Sequence, residues 1–323
     1  MIDPVERWRR MLGPETEKAA WAGLPSFADV PYSEDPSDLA GVDVAVVGAP
    51  FDELVSDRPG ARFGPRAIRC ATPTSSFHLE ERVDWATELR VIDYGDAPVV
   101  PANPVASLGA IEATVREVVA AGAMPLILGG DHSVTEANVR ACAGERGPVG
   151  MLHFDAHTDT AAEVHGQERS HGTPMFRLVE AGLVDPGRYV QIGLRGWWPE
   201  AQVFAWQRER GITSFFMHDV ARQGIDSILA ETFEILGSGP VFLTVDVDVL
   251  DPSFAPGTGT PEPGGMSSTE LLRACRVAAR ELSLIGADVV ETLPLTVEDM
   301  TAVVANRTAA EILTGLAARS RAG

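Results

Sequence analysis

Carboxylates and imidazoles recur at two-residue spacing in two short segments, His153-Phe-Asp-Ala-His-Thr-Asp-Thr160 and Thr244-Val-Asp-Val-Asp-Val-Leu-Asp251, each closing an apolar run. Side chains two residues apart on an extended strand project from the same face, so Asp246 and Asp248 point together. Asp155 and His157 do the same before the chain turns and brings in Asp159. His132, in Gly129-Gly-Asp-His-Ser133, is a further candidate. Ionised carboxylates at this density repel one another, and burying even one without compensation is prohibitive. Cations must therefore be present. Asp155, Asp159, Asp246 and Asp248 balance two divalent ions in charge. Carboxylate oxygens mixed with two imidazoles suit a borderline metal such as Mn(II), with Ni(II) as the alternative. Zinc alone would favour fewer ligands or thiolates.

The elements that must position these residues follow from periodicity. Short apolar, β-branched runs span Val42 to Val47, Leu89 to Ile92, Met124 to Leu128, Val149 to Phe154, Tyr189 to Leu194, Ile212 to Met217, Pro240 to Val245 and Leu284 to Val290. Each is of strand length. Between them lie helical patterns such as Val105 to Ala121 and Ser267 to Ala279. A last helix is expected behind the capping residue Asp299, with Val304, Ile312, Leu313 and Leu316 on one stripe. Strand-then-helix alternation implies right-handed crossovers and an α/β fold with a mostly parallel, eight-stranded sheet covered by helices on both faces. Ligands bind such sheets beyond the carboxyl ends of the strands. His132, the Asp155 to Asp159 group and the Asp246 to Asp248 pair each follow an apolar run directly, so all three fall on that edge.

At 323 residues the chain buries a sizeable core, and it shows no internal repeat, low-complexity tract or linker. Residues 1–40, including the irregular acidic stretch from Pro25 to Pro36, are read as an N-terminal extension, and 41–323 as a single catalytic domain. With 46 acidic against 26 basic residues the net charge is −20, which disfavours nucleic acid or an anionic membrane as partner. A cationic small molecule is compatible, and acidity that merely keeps the protein soluble is the alternative. Cys70, Cys142 and Cys275 are scattered and form no C-x-x-C pair, as expected of reduced thiols in a cytoplasmic protein. No apolar stretch reaches membrane-spanning length, and no apolar core follows the charged residues at the start, so a soluble protein that is not exported is expected.

Taken together, Gly129-Gly-Asp-His-Ser133, Asp155-Ala-His-Thr-Asp159 and Asp246-Val-Asp-Val-Leu-Asp-Pro252, followed by Ala255-Pro-Gly-Thr-Gly-Thr-Pro261, resemble the ureohydrolase family of arginases and agmatinases. The resemblance runs from Val46-Val-Gly-Ala-Pro-Phe51 through Arg58-Pro-Gly-Ala-Arg-Phe-Gly-Pro-Arg66 to the last helix. It implies a three-layer α/β/α domain, a binuclear manganese cluster, and a homo-oligomer, trimeric or hexameric. His132, Asp155, Asp159 and Asp246 would hold one ion, and His157, Asp155, Asp246 and Asp248 the other, with Asp155 and Asp246 bridging. The implied reaction is hydrolysis of a guanidino compound to urea and an amine.

A guanidinium is resonance-stabilised and cationic, hence a poor electrophile for neutral water. Two divalent ions about 3.5 to 4 Å apart can supply hydroxide near neutral pH. The tetrahedral intermediate collapses only when the departing amine is protonated, and Asp159 is the candidate to relay that proton. The resemblance places Glu291, in Ala287-Asp-Val-Val-Glu291, on the guanidinium. It also makes His171, in Ser170-His-Gly-Thr-Pro174, the proton shuttle to solvent, with His165 as a competing candidate. Asp131 is expected to orient a neighbouring ligand or backbone.

Substrate identity is less sharply marked. Arginases follow the third aspartate with polar residues that hold an α-amino acid head group, whereas here Thr160-Ala-Ala-Glu163 follows, and His-Gly-Thr-Pro is the agmatinase-like form. Agmatinases carry a Tyr-Asp shortly after the position of Glu291, while this chain reads Thr292-Leu-Pro-Leu-Thr-Val-Glu-Asp299, one residue shorter. Agmatine is the preferred expectation, with guanidinobutyrate, guanidinopropionate and free guanidine as rivals. Trp197-Trp198 either narrows the pocket or packs a loop or subunit contact. A deacetylase on the related fold would hold a single zinc and lack counterparts of His132 and Asp159, and an inactive scaffold would have lost ligands. Neither description fits these residues.

Overall fold

The structure, a computed structural model, describes residues 23–71, 76–144, 147–296 and 299–322. Residues 1–22, over half of the expected N-terminal extension, lie outside the described residues. All eight expected runs form strands: β1 (Val44–Gly48), β2 (Val91–Asp96), β3 (Met124–Leu128), β4 (Val149–Phe154), β5 (Val184–Leu194), β6 (Thr213–Phe216), β7 (Pro240–Asp246) and β8 (Ser283–Val290). They join in one sheet in the order β2-β1-β3-β8-β7-β4-β5-β6. Every neighbouring pair is parallel. A separate antiparallel hairpin pairs Phe77–His78 with Val83–Asp84, strands too short to leave a periodic pattern.

The strands read as unbroken apolar runs because the sheet is buried on both faces. Val44 and Val46 of β1 join one hydrophobic cluster, while Ala45 and Val47 join the other. Helices α1 (Pro104–Ala120), α2 (Val134–Ala143) and α3 (Pro174–Glu180) cover one face through residues such as Ile111, Val134 and Met175. Helices α4 (Ile225–Leu236), α5 (Ser268–Glu281) and α6 (Met300–Ala322) cover the other through Ile228, Leu271 and Ile312. Side chains set the helix starts: Ser267 and Glu270 form a capping box at α5. Asp299 Oδ1 accepts from Thr301 N at 2.8 Å at the head of α6, as its position in the sequence suggested. No helix among the described residues is long and apolar enough to cross a membrane.

Two strands outrun their apolar signal. β5 begins at Val184, five residues before Tyr189, and β2 continues past Ile92 to Asp96. In β2 the polar residue is neutralised where it lies. Asp93 is fully buried and accepts from Arg69 Nε at 2.7 Å, from Arg69 Nη2 at 2.9 Å and from Phe27 N at 2.8 Å. The ion pair substitutes for solvent, so Asp93 stays paired with Val46 of β1 just before the register shifts to Gly48 and Asp96. Replacing Arg69 with Met should leave that carboxylate buried without its cation and lower stability by about 3 kcal/mol. Urea unfolding of both proteins checks this, and a loss below about 1 kcal/mol would mean that the pair contributes no more than a surface contact.

Candidate metal centre

The four central strands β3, β8, β7 and β4 end at one level, with Leu128 paired to Val289, Val290 to Asp246 and Val245 to Phe154. The chain leaving those ends carries, in turn, His132, then Glu291, then Asp246 with Asp248, and finally Asp155 with His157 and Asp159. Seven residues from four separate segments thus meet at one edge. After β3 the glycines are needed: Asp131 N donates to Phe51 O at 2.8 Å, and a Cβ at Gly130 would overlap that carbonyl. Asp131 holds this turn by accepting from Ser133 N at 3.0 Å and Leu54 N at 3.1 Å. Burial, followed by Glu291, pushes its pKa up to about 7.

His132 Nδ1 is the centre of the first group. It lies 3.0 Å from Asp155 Oδ2, 3.0 Å from Asp159 Oδ2 and 3.2 Å from Asp246 Oδ2, yet it is buried and has no hydrogen-bond partner. His157 Nδ1 centres the second group, 3.0 Å from Asp248 Oδ2 and 3.6 Å from Asp155 Oδ1. Asp155 is common to both. The opposite oxygens are tied to backbone: Asp155 Oδ1 accepts from His157 N, Asp246 Oδ1 from Asp248 N, and Asp248 Oδ1 from Ala156 N. Ligands about 2.1 Å from one ion and at right angles are about 3 Å apart, which is the spacing around His132 Nδ1. The donor set therefore fits a divalent cation.

Electrostatics leads to the same requirement. Burial and then Asp248 and Asp155 drive the Asp246 pKa well above the carboxylate range. Burial opposes charge on His132, but Asp155, Asp159 and Asp246 overcome it and hold the imidazole well above its usual value. His157 is likewise raised, against burial, by Asp248 and Asp155. The cluster draws in positive charge, and bound metal replaces the protons that would otherwise supply it.

Glu291 lies buried between His132 and His171. Its Oε1 accepts from His132 N at 2.9 Å and lies 2.9 Å from His171 Nδ1, whereas Oε2 is buried without a partner. Glu291 and Asp159 adopt positive φ, 62° and 50°, a conformation costly for residues other than glycine. Above them opens a cavity of about 570 Å³ lined by Asp57, Arg58, Glu163, His165, His171 and Trp198, among others. Trp198 stands beside His157 with ring centroids 6.0 Å apart. Trp197 is 98% exposed and is not part of this wall. Thr260 and Pro261, from the Gly257 to Pro261 loop, line it too.

The sequence model of the arginase family matches residues 42–315, which contain all eight strands and every residue of the cluster. The chain belongs to the arginase family. It is a hydrolytic enzyme of the ureohydrolase kind. It is 45% identical to guanidinopropionase of Pseudomonas aeruginosa over 278 residues, 85% of each chain. It is 40% identical to agmatinase of Chromobacterium violaceum over 301 residues, 91% of this chain and 88% of that one. The solved structure of proclavaminate amidino hydrolase from Streptomyces clavuligerus matches with a TM-score of 0.88 at 34% identity, covering 94% of this chain and all of that one.

In this arginase-family chain, supporting residues escaped the sequence reading. His153 Nε2 lies 2.8 Å from Asp155 Oδ2 and its Nδ1 lies 2.9 Å from Tyr189 Oη, so one ring nitrogen holds Asp155 while the other anchors the ring. Its position two residues before Asp155 on the same strand face was the available signal. Thr244 accepts from His132 Nε2 at 2.9 Å and donates to the buried Asp288, which also accepts from Thr135 and Asn138. That chain of bonds keeps a proton on His132 Nε2, so Nδ1 is the nitrogen turned to the carboxylates and the one that would meet a metal. A charged residue inside the apolar run of β8 was its only sign. Replacing Asp246 with Ala should abolish turnover and lower bound metal, and elemental analysis checks the second. In the unaltered protein, Mn(II) affinity should rise with pH, because protons on His132, His157 and Asp246 compete with metal. Titration with Mn(II) in mildly acidic and mildly alkaline buffer checks the sign.

Proposed function

We propose that this chain hydrolyses a guanidino compound lacking an α-amino acid head group to urea and an amine, with agmatine preferred. The observation that carries the reading is Glu291 Oε2, a buried carboxylate oxygen with no partner beside the carboxylate and imidazole cluster. Such an oxygen calls for a cationic N–H donor, which a guanidinium supplies. His132, Asp155, Asp159 and Asp246 would hold one divalent ion, and His157, Asp155, Asp246 and Asp248 the other; Mn(II) suits these donors best. When bound, the pair supplies hydroxide near neutral pH.

The remaining steps belong to the chain. Glu291 accepts from the guanidinium through Oε2 while Oε1 stays held by His132 N and His171. Once hydroxide oxygen has bonded to the guanidinium carbon, Asp159, which lines the cavity, takes the proton left on that oxygen and delivers it to the amine nitrogen as the C–N bond breaks. His171 exchanges protons with solvent through the cavity. Burial opposes its charge, but Glu291, then Asp159 and Asp131, raise its pKa to about 9. Ser56 N, aimed at Nε2 from 3.1 Å, works against that charge, and the Glu291 carboxylate at 2.9 Å is the stronger partner. His165 is exposed at the mouth and lacks such a contact to Glu291.

The cavity also bears on the substrate's tail. Thr160 is buried and its Oγ1 accepts from Gln207 Nε2 at 2.8 Å, so the residue after Asp159 is not free to bind an α-amino acid head group. The mouth carries Asp57, Glu163, Glu200 and Glu262 against Arg58, a balance that favours a second positive charge on the substrate. Arg58 supports a second reading, a guanidino acid whose carboxylate meets that guanidinium, and the similarity to guanidinopropionase favours it as well.

Urea release from agmatine, guanidinobutyrate, guanidinopropionate, free guanidine and arginine, with Mn(II) and in parallel with Ni(II), separates these readings. Agmatine should show the highest kcat/KM and arginine a poor one. Guanidinopropionate in first place would transfer the conclusion to the second reading, and arginine in first place would sink both. Trp198→Ala should favour longer substrates, by about 1 to 3 kcal/mol per methylene accommodated, while Trp197→Ala leaves the ratios unchanged. Replacing His171 with Ala should lower kcat on the order of 100-fold with metal content intact. If His165→Ala causes that loss instead, the shuttle is the other histidine.

A further inference from the structure

Arg195 stands just beyond β5, in Ile192-Gly-Leu-Arg-Gly196, and among the described residues its guanidinium bonds only to main-chain carbonyls. Nη2 donates to Asp248 O at 2.7 Å, Leu250 O at 3.1 Å and Glu262 O at 2.6 Å. Nη1 donates to Gly193 O at 3.1 Å and Val249 O at 3.2 Å. Nε is shared between Glu262 O and Pro263 O, each at 3.2 Å. Arg195 forms no ion pair among the described residues. One planar cation therefore gathers three stretches of chain: its own, the 248–250 turn, and residues 262–263, of which Glu262 lines the cavity. Two glycines make the room. A Cβ at Gly265 would meet Asp251 N and Arg195 Nη2, and one at Gly193, whose φ is 113°, would run into Val249 and Asp155 O.

The clamp acts on one side of the metal centre. Asp248 N donates to Asp246 Oδ1 at 2.8 Å, and Asp248 O accepts from Arg195, so the peptide units on both sides of this residue are held. Asp248 Oδ1 is held by Ala156 N at 3.0 Å. With those three points taken, Oδ2 has one place to go, 3.0 Å from His157 Nδ1. Arg195 makes no hydrogen bond to His132, Asp159 or Asp246. We infer that Arg195 is a positioning residue for the cation site of Asp155, His157 and Asp248, setting that site's affinity while leaving the His132 side nearly unchanged. The guanidinium fork is required, because an ammonium cannot reach carbonyls on all three stretches at once.

This inference rests on the reading that the cluster holds two ions, and the experiment separates the two claims. Metal-depleted wild type, Arg195→Met and Arg195→Lys are titrated with Mn(II), free Mn(II) being followed by electron paramagnetic resonance. Bound metal is counted by elemental analysis after dialysis, and melting is compared with and without metal. Wild type should bind two ions. Both variants should keep one after dialysis, with the weaker site's dissociation constant raised on the order of 10 to 100-fold, and should melt close to wild type when metal-free. Equal weakening of both sites, or wild-type binding at both, would overturn the role given to Arg195. So would wild-type behaviour of the lysine variant, a metal-free melting loss as large as the metal-loaded one, or failure of both variants to fold. Wild type binding fewer than two ions would instead remove the two-ion reading beneath it.

Discussion

Four carboxylates buried within a few ångströms of one another cannot stay ionised without positive charge among them, and much of this molecule is arranged to meet that condition. Asp155, Asp159, Asp246 and Asp248 are all buried, and each turns Oδ2 toward an imidazole. Backbone amides hold the opposite oxygens of three of them, so the free ones converge and do not drift toward solvent. The cost of assembling like charges falls on the fold, and a divalent cation held here would return it. Binding of such a cation would therefore be coupled to folding of this edge.

The sheet topology makes that assembly possible. Parallel strands deliver every carboxyl end to one edge, and the order β3-β8-β7-β4 places the four contributing strands side by side at its middle. No antiparallel arrangement would bring four consecutive exits together in this way. Two-sided burial then keeps the strand ends from moving, since each strand is packed by helices above and below. Left-handed backbone at Asp159 and Glu291 is sustained by this rigid surround.

The sequence disclosed the eight strands, their parallel arrangement and the six clustered His and Asp residues, because apolar runs and two-residue spacing are local patterns that survive in one dimension. It concealed interactions between distant segments. The extension of β2 depends on Arg69, twenty-four positions before Asp93, and nothing near Asp93 announces it. Thr244 and Asp288 form a relay only because β7 and β8 pair in one register. Trp197 and Trp198 are adjacent and chemically identical, yet one faces solvent and the other walls the cavity. That difference is set by the loop's path and not by residue type. Nothing in the sequence marks Arg195, since its carbonyl partners have no side-chain signature.

The cavity is built from two kinds of material. Its floor is made by strand ends locked into the core, whereas its mouth is made by loop residues such as Asp57, Arg58, Glu163, Trp198 and Glu262. Loops accept substitution and changes of length with little effect on the sheet beneath them. Mutations that retune which molecule is admitted can therefore accumulate at the mouth without touching the chemistry at the floor, and inherited variation has a route to new substrates on an unchanged catalytic base.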